Sequence, residues 1–301
     1  MKKHPTLANV GHIACDGFHE ARGLLTLICG SISSVLLCSV VIFAADSAWG
    51  ETSPWFVKSI HYEPLGASGF QSISGMATDP VSGEIYVLHA GRHTVDVIDS
   101  AGSPRYTFTH WITDQKTGRR TVGEPNSIAI SPSGEIFLTD LFSRWIDVLN
   151  IPGEVIDHID MLADVGWQGP SVRPEKLGLD ADGWLYASIG GERSGVLRRR
   201  VEGGHAKVFI DAAKEKIECI TGTGVAADGR VAVLDSRGTP AVRVYDASGR
   251  QIVAFAGHEV EQGDLSFPAA MLFAGDGTFW VAGGLRQAVK HHDEINVVWA
   301  L

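Results

Sequence analysis

A short pattern returns five times along the chain: DPVSGEIYV at residues 79–87, SPSGEIFL at 131–138, DADGWLYA at 180–187, AADGRVAV at 226–233 and AGDGTFWV at 274–281. Their turn glycines, Gly83, Gly134, Gly183, Gly229 and Gly277, lie 51, 49, 46 and 48 residues apart, a period that marks one supersecondary unit per copy. Each unit has the same internal order. An apolar run such as Ser127-Ile128-Ala129-Ile130 ends in a glycine turn, the chain reverses, and an alternating strand such as 135–139 follows. A third strand of period two comes next (95–99, 146–149, 242–246), then a fourth (105–108, 155–159, 207–210, 252–255). Four antiparallel strands per repeat predict a propeller blade. Amphipathic-helix periodicity is nearly absent after residue 50, which excludes a helical solenoid of similar period. The expected fold class is all-β, a β-propeller of four-stranded antiparallel blades with five repeats visible, occupying residues 49–301.

Residues 1–48 stand apart as a leader. Between Arg22 and Asp46 there is no charge, and residues 24–45 form an apolar run long enough as a helix to cross a bilayer. Lys2, Lys3 and Arg22 precede the run and only Lys58 follows nearby, so the positive-inside bias places the N-terminus in the cytoplasm and the body outside. The expectation is an N-terminal signal peptide, cleaved near Ala45 and Ser47, or a retained membrane anchor through residues 24–45. Either makes the body extracytoplasmic, periplasmic or secreted, and a retained anchor would tether it to the inner or plasma membrane. Cys15, Cys29 and Cys38 fall in the leader, which leaves Cys219 alone in the body with no intrachain disulfide partner. The leader holds three basic and three acidic side chains, so the net charge of −10 belongs to the body and argues against nucleic-acid binding.

The segments PNSIAISPSGEIFLTD (125–140) and GMATDPVSGEIYV, followed by AGRHTVDVID, resemble NHL repeats, and the resemblance covers about residues 70–292. It implies an NHL-repeat β-propeller, a family usually six-bladed. Residues 55–62 read as an isolated strand before the first repeat, and the fifth repeat departs from the pattern after a third strand at 287–292. Two arrangements follow: residues 55–62 close the last blade as its outer strand, or the chain is a shortened six-bladed propeller.

In a propeller the blade-to-blade loops and the hairpin between strands two and three share one face, where ligands are to be sought. That hairpin presents His93, Arg144 and Arg193 in register, with Arg237 and Arg286 within two residues of the same place. Five cations converging on an acidic protein would focus an anion or acidic-partner surface; the resemblance implies the alternative, side chains bonding turn carbonyls or neighbouring acids. Trp111, Trp167, Arg119 and Arg120 lie in long blade-to-blade loops and are candidate contact anchors. The first positions of the inner strands are Ser74, Asn126, Glu175, Thr221 and Ala269. Of these, Asn126 and Glu175 suit a divalent cation, in faint resemblance to propeller lactonases and lyases with an axial metal. His89, Asp140 and Asp235 share a register just past strand two, where capping of turn amides is expected. No Ser/His/Asp set or phosphate loop is present, and Gly222-Thr223-Gly224 lacks the lysine of one. The leading expectation is therefore a binding or interaction scaffold for a protein or glycan partner. The alternative is a metal-dependent lyase or lactonase-like enzyme; a structural envelope protein or degraded gene product is a third reading.

Overall fold

The computed structural model describes residues 72–113 and 117–255 throughout, and six strands outside those ranges. β1 (Leu24–Thr26), β2 (Val40–Ala44) and β3 (Trp55–Ile60) form one antiparallel sheet in that order. Both ends of the apolar run expected as a leader helix are thus extended, and residues 27–39 lie outside the described residues. No helix among the described residues is long and apolar enough to cross a membrane.

Four complete blades follow. The first is β4 (Ile73–Thr78), β5 (Ile85–His89), β6 (Thr94–Ile98) and β7 (Pro104–Thr109). A small hairpin, β8 (Trp111–Thr113) and β9 (Arg120–Val122), leads from it to the second blade. That blade is β10 (Pro125–Ile130), β11 (Ile136–Asp140), β12 (Ile146–Leu149) and β13 (Val155–Ile159). After the four-residue helix α1 (Met161–Asp164) comes the third blade, β14 (Arg173–Leu179), β15 (Trp184–Gly190), β16 (Gly195–Arg200) and β17 (Gly203–Asp211). Helix α2 (Ala212–Glu215) precedes the fourth, β18 (Ile220–Val225), β19 (Val231–Asp235), β20 (Val242–Tyr245) and β21 (Gln251–Phe255). The fifth repeat supplies a sheet of three described strands, β22 (Phe267–Phe273), β23 (Phe279–Gly284) and β24 (Val297–Ala300). The described strand beside β23 is β24, and the third strand expected at 287–292 lies outside the described residues. Of the strand expected at 55–62, the described part, β3, pairs with β2 in a separate sheet and not with β24.

Every sheet is an antiparallel meander, and the inner strands β4, β10, β14, β18 and β22 pack side by side in chain order. The recurrent turn explains the repeat. Asp79 accepts the Val81 amide at 2.8 Å, Asp180 accepts the Trp184 amide at 2.8 Å, and the turn glycine has a left-handed backbone, φ +79° at Gly183, which a Cβ would disfavour.

Period two then divides each sheet between its two neighbours. In the second blade Ile136 and Leu138 pack with Leu88 and Val97 of the first, while Phe137, Ile146 and Val148 pack with Leu177 and Leu185 of the third. In the fourth, Val231, Val233 and Tyr245 meet Tyr186 and Val196 of the third, and Ala232, Leu234 and Val244 meet Phe279 and Val281 of the last sheet. Burial on both faces makes these strands near-continuous apolar runs. Charged residues interrupt the third strands at one register position, where β6 has Asp96, β12 has Asp147 and β20 has Arg243, each buried, while β16 has the apolar Leu197 there.

Candidate functional site

The loop-bearing face carries the β8–β9 hairpin, in which Trp111 pairs with Val122 and Ile112 with Thr121. Ile112 turns inward and is buried, so by alternation Trp111 turns out and is 38% exposed. The Arg120 guanidinium stacks 4.9 Å from the centre of the Trp111 ring, and Arg119 beside it is exposed. On the same face Phe142, in the hairpin after β11, is 69% exposed. Trp167 behaves differently: it is 4% exposed, packed with Ile146, Met161 and Leu197, and therefore is a core residue and not a contact anchor.

The column of cations is engaged with loops. The His93 ring bonds the Gly123 carbonyl through Nδ1 at 2.7 Å. Arg144 donates to Asp160 at 3.3 Å, and Asp160 in turn caps α1 by accepting the Ala163 amide at 3.0 Å. Arg193 stacks 5.5 Å from the ring centre of Trp167. Each of these three side chains ties its blade's hairpin to a blade-to-blade loop. Arg237 is exposed, and Arg286 lies outside the described residues.

At the first positions of the inner strands a lysine that the sequence reading passed over is central. Lys176 Nζ reaches the Ser74 and Asn126 carbonyls at 3.4 Å each and Asn126 Oδ1 at 3.3 Å. Burial pulls its pKa down, against the opposing pull of Glu175. Asn126 Nδ2 donates to the Glu175 carbonyl at 3.0 Å, so both ends of the Asn126 amide are used. The Glu175 carboxyl is raised by burial, with Arg173 and Lys176 opposing, and lies against the Cα of Gly190. The Asn126 oxygen expected to face an axial cation thus faces an ammonium. Among the described residues no three His, Cys, Asp or Glu side chains are arranged as a metal centre.

The register past strand two splits. Asp140 caps the Phe142 amide at 2.7 Å, and Asp235 accepts the amides of Glu218, Cys219, Arg237 and Gly238 at 2.8–3.2 Å, as expected. His89 instead forms a fully buried pair with Asp96, Nε2 to Oδ2 3.0 Å. In the second blade the corresponding positions are both acids, Asp140 and Asp147, and the imidazole comes from outside the blade. His110 Nε2 stands 3.4 Å from Asp140 Oδ2 and 3.4 Å from Asp147 Oδ2, all three side chains being 0–2% exposed. His158, partly exposed, bonds Asp147 Oδ1 through Nδ1 at 2.7 Å. Burial raises the Asp140 carboxyl to about 6, with the Asp147 charge adding to it, and raises Asp147 to about 6 against the pull of His158. Burial lowers His110 to about 4.

No protein-family profile matches the chain, and no curated protein matches it. Solved structures do. A crystal structure of a nidogen/laminin complex is similar with a TM-score of 0.56 and 17% identity, over 81% of this chain and 82% of that one. Selenomethionine-substituted virginiamycin B lyase from Staphylococcus aureus is similar at TM-score 0.53 and 13% identity, over 92% of this chain and 82% of that one. A catalytically inactive form of that lyase with quinupristin gives TM-score 0.52 and 13% identity, over 93% and 88%. At such identities the likeness is one of fold, and with four antiparallel four-stranded blades it makes the chain a β-propeller.

Proposed function

We propose that this chain is an exported, NHL-type binding module that presents its loop-bearing face to an acidic protein surface, with residues 24–45 acting as signal or anchor. The observation that carries the reading is the β8–β9 hairpin, which holds Trp111 outward under the Arg120 guanidinium, with Arg119 and Phe142 exposed on the same face. Exposed aromatic and Arg side chains are the residues that dominate interface energies. Their positive charge on a chain of net −10 favours an acidic partner and disfavours self-association through the rest of the surface. The nidogen neighbour, seen in complex with laminin, is a propeller in a protein complex, which agrees with this use of the fold.

The test is photo-crosslinking in the native envelope, with benzoylphenylalanine in place of Phe142 and, as a control on an outer strand, of Ile252, which is 45% exposed. A discrete adduct at Phe142 and none at Ile252 is expected. Trp111→Ala is expected to weaken the Phe142 adduct about tenfold, the effect of losing one hot-spot side chain of roughly 1–2 kcal/mol. Equal labelling at both positions, or a chain that fractionates with the cytosol, would overturn the reading.

A further inference from the structure

The β8–β9 hairpin begins and ends on the buried acid cluster of the second blade. His110 immediately precedes Trp111 and Gly123 immediately follows Val122, and the Gly123 amide donates to the His110 carbonyl at 3.1 Å. His110 Nε2 faces the two carboxyl groups at 3.4 Å each, while Gly123 lies so close to Asp140 that a Cβ there would stand 2.2 Å from Oδ2. Just beyond, the Leu141 amide bonds the Glu124 carbonyl at 3.0 Å. The stem of the hairpin is therefore seated on Asp140, Asp147 and His110.

We propose that these three side chains form a proton-operated clasp: while the cluster holds a proton the hairpin stem stays seated, and loss of that proton loosens it. The inference rests on the reading of the hairpin as the binding element. The groups around it are all accounted for. Asp140 faces Asp147, His110 and Glu124, and Asp147 faces His110 and His158. No Lys or Arg pairs with either carboxyl group among the described residues; the nearest guanidinium of the blade, Arg144, is bonded to Asp160. Each carboxyl group has a partner on Oδ1, the Phe142 amide or the His158 ring, but the two buried Oδ2 atoms have none among the described residues; ionising both in a dry site is costly, and a single proton, on a carboxyl or on the imidazole, relieves the repulsion. His158, at the surface on Asp147, gives that proton a route to solvent.

The direction of the pH effect follows from the signs. Both carboxyl groups are raised to about 6, so their contribution is complete below the ordinary carboxylate range and is lost as pH rises through about 6. His110, lowered to about 4, has the opposite slope over the same window, and two carboxyls outweigh one imidazole. The stem is seated at pH 5 and looser at pH 7.5.

Hydrogen exchange of the full chain tests this without any partner. After correction for intrinsic rates, protection of residues 110–124 is expected to fall several-fold, roughly fourfold, between pH 5 and pH 7.5, with no such change in β19. Asp140→Asn still offers an oxygen to the Phe142 amide but cannot titrate, and should flatten the dependence; Asp147→Asn is the second variant should the first not fold. His158→Ala removes a donor from Asp147 and should move the midpoint to higher pH. Equal protection at both pH values in the wild type, or an unchanged pH dependence in both Asn variants, would overturn the clasp. Failure of the binding reading shows itself separately, as a missing Phe142 adduct at pH 5, where the stem is seated.

Discussion

Asp235→Ala is expected to cost the chain about 3–5 kcal/mol, because four backbone amides lose one ionised acceptor at once. The amides of Glu218 and Cys219 belong to the loop entering the fourth blade and those of Arg237 and Gly238 to its hairpin, so the carboxylate ties a loop to a turn across the blade. The loss stays below the sum of four charge-assisted bonds because Glu218 and Arg237 are at the surface, where water reaches their amides. Asp235→Asn separates charge from geometry. Its Oδ1 still serves Cys219, Arg237 and Gly238, and only the Glu218 bond is lost, a cost of about 1–2 kcal/mol. Burial alone would raise the Asp235 carboxyl, but the amides outweigh it and hold it below the ordinary range. Its stabilising contribution is therefore present above the ordinary carboxylate value and disappears as pH falls through the folded value. Urea titration at pH 7 and at pH 3 checks both statements: the gap between wild type and Asp235→Asn should be open at the first and narrower at the second.

Gly191→Ala should cost about 2–4 kcal/mol by adding overpacking to backbone strain. Gly191 has φ +94°, and a Cβ on it would lie 2.3 Å from the Ser171 carbonyl oxygen and 2.9 Å from the Val172 amide nitrogen. Both are backbone atoms, so no side-chain rotation relieves the clash. The hairpin of the third blade would have to lift from the loop that joins it to the second. A fall in the urea midpoint with unchanged slope is the expected result, and a stability within about 0.5 kcal/mol of wild type would contradict the packing described.

The blades were legible in the sequence because their signal is local. The glycine turn and the Asp or Ser before it lie within a few residues of each other, and every described copy folds as that pattern dictates. The caps by Asp140 and Asp235 were legible for the same reason, since each reaches amides two or three residues away in its own hairpin. What depends on neighbouring blades was not. His93, Arg144 and Arg193 looked like a converging cationic surface because the sequence shows their register but not the loops that fold over them. Trp167 looked like a surface anchor because it sits in a long loop, yet that loop carries α1 and folds the indole into the core. Lys176 carries no signal in the sequence: strict alternation would put it on the face opposite Glu175, but β14 is irregular between Pro174 and Leu177, which breaks alternation there. The acid cluster had a sequence signal that parity makes readable. A charged residue amid Ile146, Val148 and Leu149 has no solvent face to use, and Asp147 stands directly across from Leu138, two residues before Asp140. Only His110, delivered by the loop from the first blade, needed the structure.

The division of each sheet between two neighbours also sets where this gene can tolerate insertions and deletions. One residue added within β11 would hand Phe137's place on the third blade to Leu138 and point Asp140 away from His110, spoiling two interfaces and the clasp together. The same residue added to the turns after Leu149 or after Arg200 would change no face. The repeat spacings of 46 to 51 residues fit this division, because a difference of a few residues taken up in turns and loops leaves every strand's faces in place.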